Sequence, residues 1–145
     1  MPNGARGRHM GLDVGDRRIG VALSDETATL ASALTTVTRT GGRKDAGAVA
    51  DLVRHHEVAA VVVGLPLNMD GSDGPSAQSA RAFARNWAAR SLLPLVMQDE
   101  RLSTSAVTRT LLEADTSRRR RDDVVDKMAA AYILQGALDR LRNLR

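Results

Sequence analysis

Residues 11–25 read GLDVGDRRIGVALSD. On either side of Gly15 and Asp16, a pair suited to a tight hairpin, the stretch is strand-like, which predicts two antiparallel strands, one in MGLDVG and one in RRIGVALSD. In the first, Asp13 stands between Leu12 and Val14, where a buried strand would carry another aliphatic side chain. A carboxylate flanking a core is costly unless something pairs with it. Asp13 therefore either ties down the hairpin backbone, as Asp beside Gly often does, or belongs to a site.

Working outward, a third strand is expected within ALTTVTR, before Gly41 and Gly42. RKDAGAVADLVRHHE then has helical spacing, with Ala46, Val49, Ala50 and Val53 on one face. VAAVVVGLPL is the continuous β-branched run of a strand buried on both faces, and the Gly-, Asn-, Asp- and Pro-rich GLPLNMDGSDGP follows as a loop. Pro75 opens a helix to about Arg90, with Ala80, Phe83, Ala84, Trp87 and Ala88 inward and Arg81, Arg85 and Arg90 outward. LPLVMQDE is the last strand. STSAVTRTLLEA is expected as a helix capped by Ser103 or Thr104, DTSRRRRDD as a polar loop, and a final helix from about Asp123 to Leu141. The pattern describes an α/β domain: a mixed five-stranded sheet, its first three strands antiparallel, with helices on its faces.

The chain has 145 residues, 43% of them hydrophobic and 26% charged, the composition of one soluble domain with a sizeable core. Without cysteine it has no disulfide, thiolate metal site or cysteine nucleophile, which fits a reducing cytoplasm. No apolar run reaches membrane-spanning length and MPNGARGRHM has no signal-peptide core, so a cytoplasmic protein with no membrane partner is expected. The net charge of +4 suits a polyanion. Much of the excess is local, in Arg118, Arg119, Arg120 and Arg121 and in Arg140, Arg142 and Arg145, although a run of this kind can equally be a solvated loop. Phe83 and Trp87, four apart on a helix, suit a core better than base stacking. A nucleic-acid ligand would then be read by backbone and shape.

Asp126 is the second anomaly. Helical steps from it lead to Ala129, Ala130, Ile133, Leu134, Ala137, Leu138 and Leu141, so it heads the apolar stripe of the final helix and points toward the core. Asp99 and Glu100 end the last strand. Carboxylates that project toward one low-dielectric spot repel unless a divalent cation neutralises them, and oxygen-only ligands favour Mg²⁺ or Mn²⁺. Each has a plainer alternative: Asp126 as a helix-dipole charge, Asp99 or Glu100 as a partner of Arg101. The conjunction is harder to set aside. His55, His56 and His9 are expected to be surface or unpartnered residues.

Four ordered blocks, GLDVGDRRIGVALSD, VVVGLPLNMDGSDGPSAQSARAFA, DERLST and VVDKMAAAYILQGALD, resemble the signature blocks of the YqgF (RuvX-like) family of bacterial nucleases, from about Met10 to Leu141. The resemblance implies a ribonuclease H-like fold and a metal-dependent phosphodiesterase whose acidic residues are Asp13, Glu100 and Asp126, with Asp13 bridging and Asp99 or Asp123 as a possible auxiliary. It implies maturation of the 5′ end of pre-16S ribosomal RNA or, by fold, resolution of four-way DNA junctions, the latter by a symmetric homodimer. Nucleic-acid phosphates would be held by Arg17, Arg18, Asn68, Arg101, Arg118, Arg119, Arg120 and Arg121, and by backbone N–H groups of residues 71–74. Residues 1–9 are expected as a flexible basic extension, and 10–145 as one nuclease domain. Two other classes fit less well. Actin-like kinases share the opening hairpin but need two such domains around a nucleotide. A non-catalytic nucleic-acid-binding domain would show a broken carboxylate set.

Overall fold

The computed structural model describes residues 7–100 and 118–143, the last segment with side chains from Asp126 to Arg142. Five strands, β1 (Arg8–Val14), β2 (Arg18–Ser24), β3 (Ala31–Thr38), β4 (Val58–Leu65) and β5 (Leu95–Asp99), form one sheet in the order β3-β2-β1-β4-β5. The β1–β2 and β2–β3 pairs are antiparallel, while β1–β4 and β4–β5 are parallel. The helices are α1 (Gly42–His55), α2 (Pro75–Ala88) and α3 (Arg118–Asn143).

Strand alternation divides the sheet into two faces. Met10, Leu12 and Val14 of β1, Ile19 and Val21 of β2, and Val61, Val63 and Leu65 of β4 share one core with Ala46 and Val49 of α1 and with Ala77, Ala80, Phe83 and Trp87 of α2. The rings of Phe83 and Trp87 stack at 6.4 Å, both buried, so neither is available to a base. On the other face Ala22 and Val62 pack against Ala130, Ile133, Leu134, Ala137 and Leu138 of α3. Leu141, expected at the end of that stripe, is 39% exposed, since the helix has by then run past the core.

Three boundaries differ from the sequence expectation. Gly15 N–H donates to the Arg18 carbonyl (2.9 Å) and Val14 pairs with Ile19, so the hairpin turns on Asp16-Arg17, one residue further than Gly15-Asp16. No hairpin residue is among those with positive φ, so glycine is not demanded at the centre of the turn. Arg8 and His9, expected in a flexible extension, stand in β1: Arg8 pairs with Val58, and the His9 N–H donates to Ser24 Oγ (2.8 Å). His9 is buried, its Nδ1 within 2.9 Å of the Gly7 carbonyl, which corrects the expectation that it lacks a partner. Arg118 to Arg121, expected in a loop, form the first turns of α3. Arginine is a good helix former, and neither Gly nor Pro interrupts 118–123. The helix expected in STSAVTRTLLEA lies outside the described residues.

Candidate active site

Asp13 lies directly across the β1–β2 pair from Gly20, and residues opposite one another share a face. A Cβ built on Gly20 would stand 1.9 Å from the Asp126 carbonyl oxygen. That contact assigns Asp13 to the α3 face and brings the backbone of Asp126 down onto β2 beside it. Only a residue without a side chain allows this approach. Asp13 is buried, 6% exposed, at the carboxyl end of a central strand.

Glu100 follows β5, and the same alternation distinguishes it from Asp99. Asp99 pairs with Leu65, a member of the α1/α2 core, so it belongs to that face. Gln98, one step back, faces α3 and accepts a hydrogen bond from Arg140 Nη1 (2.9 Å). Glu100 is also on the α3 face: a Cβ on Gly64 would be 3.1 Å from its Oε2 and 2.5 Å from Ile133 Cδ1. The glycine leaves a notch over β4 that the Glu100 carboxylate occupies, 4% exposed. Leu12 pairs with Val63, so Gly64 lies beside Asp13 one residue further along, and Glu100 reaches to within about one strand spacing, ~4.8 Å, of β1.

Asp126 is half-buried at the near end of the apolar stripe, and its Oδ2 lies 3.5 Å from Arg18 Nε. Arg18, at the start of β2, is thus a local counter-charge to Asp126. The structure therefore brings Asp13, Glu100, Asp126 and Arg18 to one face and one end of the sheet. Among the described residues, no three histidine, aspartate or glutamate side chains stand close enough together to hold a metal ion.

The expected phosphate-binding residues are placed less closely together. Arg17 is exposed at the hairpin tip. Asn68 is exposed in the loop after β4, where its Nδ2 donates to Ser72 Oγ (3.0 Å). In the same loop Gly71 N–H donates to the Asn68 carbonyl (2.8 Å) and Ser72 N–H to Asp70 Oδ1 (2.9 Å). Those two amides hold the loop's own shape and are not offered to a phosphate. Arg118 to Arg121 lie about 8–12 Å of helix length ahead of Asp126. Arg101 lies outside the described residues.

Sequence reasoning missed Gly20 and Gly64, whose role is the space they leave. The available signal was an isolated glycine inside a strand, which marks close approach of another chain segment. Arg140, taken only as surplus charge, instead closes over buried Gln98.

A mixed sheet in this order, with α1 and α2 on one face and α3 on the other, is a ribonuclease H-like fold of the resolvase kind. The structure of Thermus thermophilus RuvC in complex with a Holliday junction substrate superposes over 91% of this chain and 93% of that one, with a TM-score of 0.55 at 14% identity. A fowlpox virus resolvase bound to junction DNA covers 92% and 98%, with a TM-score of 0.51 at 11% identity. The chain itself belongs to the RuvX family: a family model described as "RuvX: Holliday junction resolvase" matches residues 7–140. Among its relatives, a protein of Jannaschia sp. strain CCS1 named "Putative pre-16S rRNA nuclease" is 58% identical over 139 residues, 94% of this chain and 87% of the relative. Proteins of the same name from Ruegeria pomeroyi (55%, covering 92% and 87%) and Methylocella silvestris (52%, covering 97% and 88%) are also similar.

Proposed function

We propose that this protein is a divalent-cation-dependent nuclease that hydrolyses phosphodiester bonds in the cytoplasm, with the 5′-extended precursor of 16S ribosomal RNA as its substrate. The observation that supports the reading is that Asp13, Glu100 and Asp126 share one end of the α3 face, beside the notches left by Gly20 and Gly64. Two buried carboxylates and a half-buried third, in a chain without cysteine, are the donor set of a hard, oxygen-binding cation. Mg²⁺ or Mn²⁺ fits these residues. When bound, such a cation supplies an activated water and neutralises charge on the phosphate and leaving oxygens.

The chain's own residues hold the site and orient the substrate. Asp13, on a central strand flanked on both sides, is the least mobile of the three and suits the shared position. Glu100 is held close over β4 in the space that Gly64 leaves. Arg18, 28% exposed and 3.5 Å from Asp126, would offer its guanidinium group to a phosphate brought up to the carboxylates. The exposed Arg17 and the arginines that open α3 would add positive charge for the phosphate backbone, with Asn68 as a neutral hydrogen-bonding group.

RNA is favoured over DNA by the name shared by relatives at 52–58% identity. The second reading, a resolvase of four-way DNA junctions acting as a homodimer, is favoured by the family model's description. The experiment is cleavage of a 5′-extended ribosomal RNA precursor and of a four-way junction by wild type and Asp13→Asn, in Mn²⁺ and in chelator. Wild type in Mn²⁺ is expected to cut the RNA faster, and the variant at least about 100-fold more slowly, since even residues that only support metal ligands contribute 10–100-fold. Preferential junction cutting supports the second reading. Binding without cutting, or equal cutting by Asp13→Asn, overturns the catalytic assignment in favour of a binding module.

A further inference from the structure

A hollow of about 380 Å³ opens where the first turn of α1 meets the end of α2, lined by Arg43, Asn86, Ala89 and Arg90. It is on the side of the sheet that carries α1 and α2, opposite the carboxylates. Its charged lining is two arginines and no acid. Among the described residues neither the Arg43 nor the Arg90 guanidinium group has an ion-pair or hydrogen-bond partner. The nearby buried carboxylate, Asp45, is committed elsewhere: it accepts from the Thr40 N–H (2.8 Å) and lies 3.3 Å from Arg39 Nε. Both guanidinium groups are exposed, so water solvates them when the hollow is empty, and an anion seated between them would gain from both.

Local packing builds the hollow. A Cβ on Gly42 would meet Asn86 Nδ2 at 2.8 Å, and one on Gly47 would stand 3.5 Å from Arg90 Nη1. The two glycines of α1 thus let the Asn86 amide and the Arg90 guanidinium lie close against the helix. Guanidinium groups and a side-chain amide are donors, the complement of phosphate oxygens.

We propose that this hollow is a second contact for the sugar-phosphate backbone, engaging a part of the nucleic acid remote from the bond being cut. The inference rests on the nuclease reading for its ligand and adds a size requirement to it. A ligand touching both faces must pass a sheet and a helical layer, roughly 20 Å, or about six base pairs at 3.4 Å each. Substrates large enough to wrap the end of the sheet reach the hollow, and small ones do not.

The test is Arg43→Gln/Arg90→Gln, with Tm measured to confirm folding, against two substrates in Mn²⁺: a twenty-base-pair RNA with a single-stranded 5′ extension, and bis(p-nitrophenyl) phosphate. The expected result is a KM about tenfold higher for the RNA, unchanged kcat, and no change for the small diester. Loss of two phosphate contacts also lowers the salt slope of RNA binding by about 1.5. Unchanged RNA KM overturns the proposal, as does an equal change for both substrates, which would place the arginines' effect in the cleft or the fold. If inorganic phosphate raises the Tm of wild type but not of the variant while RNA KM is unaltered, the hollow takes a free anion and the backbone contact is refuted. If wild type cuts neither substrate, fluorescence anisotropy of the same RNA gives the comparison as Kd, so failure of the nuclease reading is seen separately from failure of this one.

Discussion

The two faces of the sheet are built to opposite specifications. Toward α1 and α2 every strand offers large aliphatic side chains, and α2 inserts Phe83 and Trp87, both almost fully buried. Toward α3 the strands carry Asp13, Gly20, Ala22, Val62 and Gly64, small or charged residues against which the helix backbone closes to contact distance. One face supplies stability through apolar area. The other gives up area to make room for carboxylates. Since buried charges are unfavourable without partners, the site depends on the first face to hold the sheet rigid.

Substitutions on each face should separate these roles, and the largest effect is expected on the apolar side. Trp87→Ala removes a side chain only 1% exposed and should lower stability by about 3–5 kcal/mol in urea unfolding, with kcat of the folded fraction unchanged. Asp13→Asn is its mirror image: activity is lost while the urea midpoint moves by less than for Trp87→Ala, because asparagine keeps the shape and the hydrogen-bonding oxygen and leaves no cavity. Parallel loss of kcat and stability in both variants would break the division of labour between the faces.

Gly20→Ala tests the notch itself. The added methyl would stand 1.9 Å from the Asp126 carbonyl, so α3 must shift. Overpacking of this kind costs about 1–3 kcal/mol, and cleavage should fall with it because Asp126 moves away from Asp13. Retention of full activity would show that the Asp126 position is not needed.

The smallest effect concerns Asp25, at the exposed start of the β2–β3 connection. Asp25 accepts hydrogen bonds from the Thr27 hydroxyl and from the N–H groups of Thr29 (2.8 Å) and Leu30 (2.9 Å). The Thr27 hydroxyl first, and then the Leu30 and Thr29 amides, hold its carboxyl well below the usual carboxylate range. A depressed native pKa contributes stability above the unfolded value, about 3.9, and loses it as pH falls below that value. The Tm difference between wild type and Asp25→Asn should accordingly be constant near neutrality and shrink below about pH 4.

Much of this was legible in the residues. The apolar spacing of Ala46, Val49 and Ala50, the β-branched run from Val58, Pro75 at a helix start, and the stripe from Ala129 to Leu138 each express a local rule, and each element is where those rules put it. Asp13 and Asp126 stood out because each violates the pattern around it. The turn centre was misplaced by one residue because several dipeptides suit a two-residue loop and only the strand pairing selects among them. The helical start at Arg118 was missed because a run of arginines is compatible with loop and helix alike.

Sequence by itself determined the five strands, the two helices after β3 and β4 and most of the last helix, the sheet's mixed character and the carboxylates that have no place in a core, since these follow from periodicity and from the cost of burying charge. Only the tertiary structure showed that Glu100 shares the α3 face with Asp13 while Asp99 is on the other, that Gly20 and Gly64 are the spaces that let Asp126 and Glu100 in, and that Arg43 and Arg90 share a hollow on the far side. Those facts depend on which residues lie opposite one another across strands and helices distant in sequence. No local rule encodes that pairing, because it is set by how the faces pack.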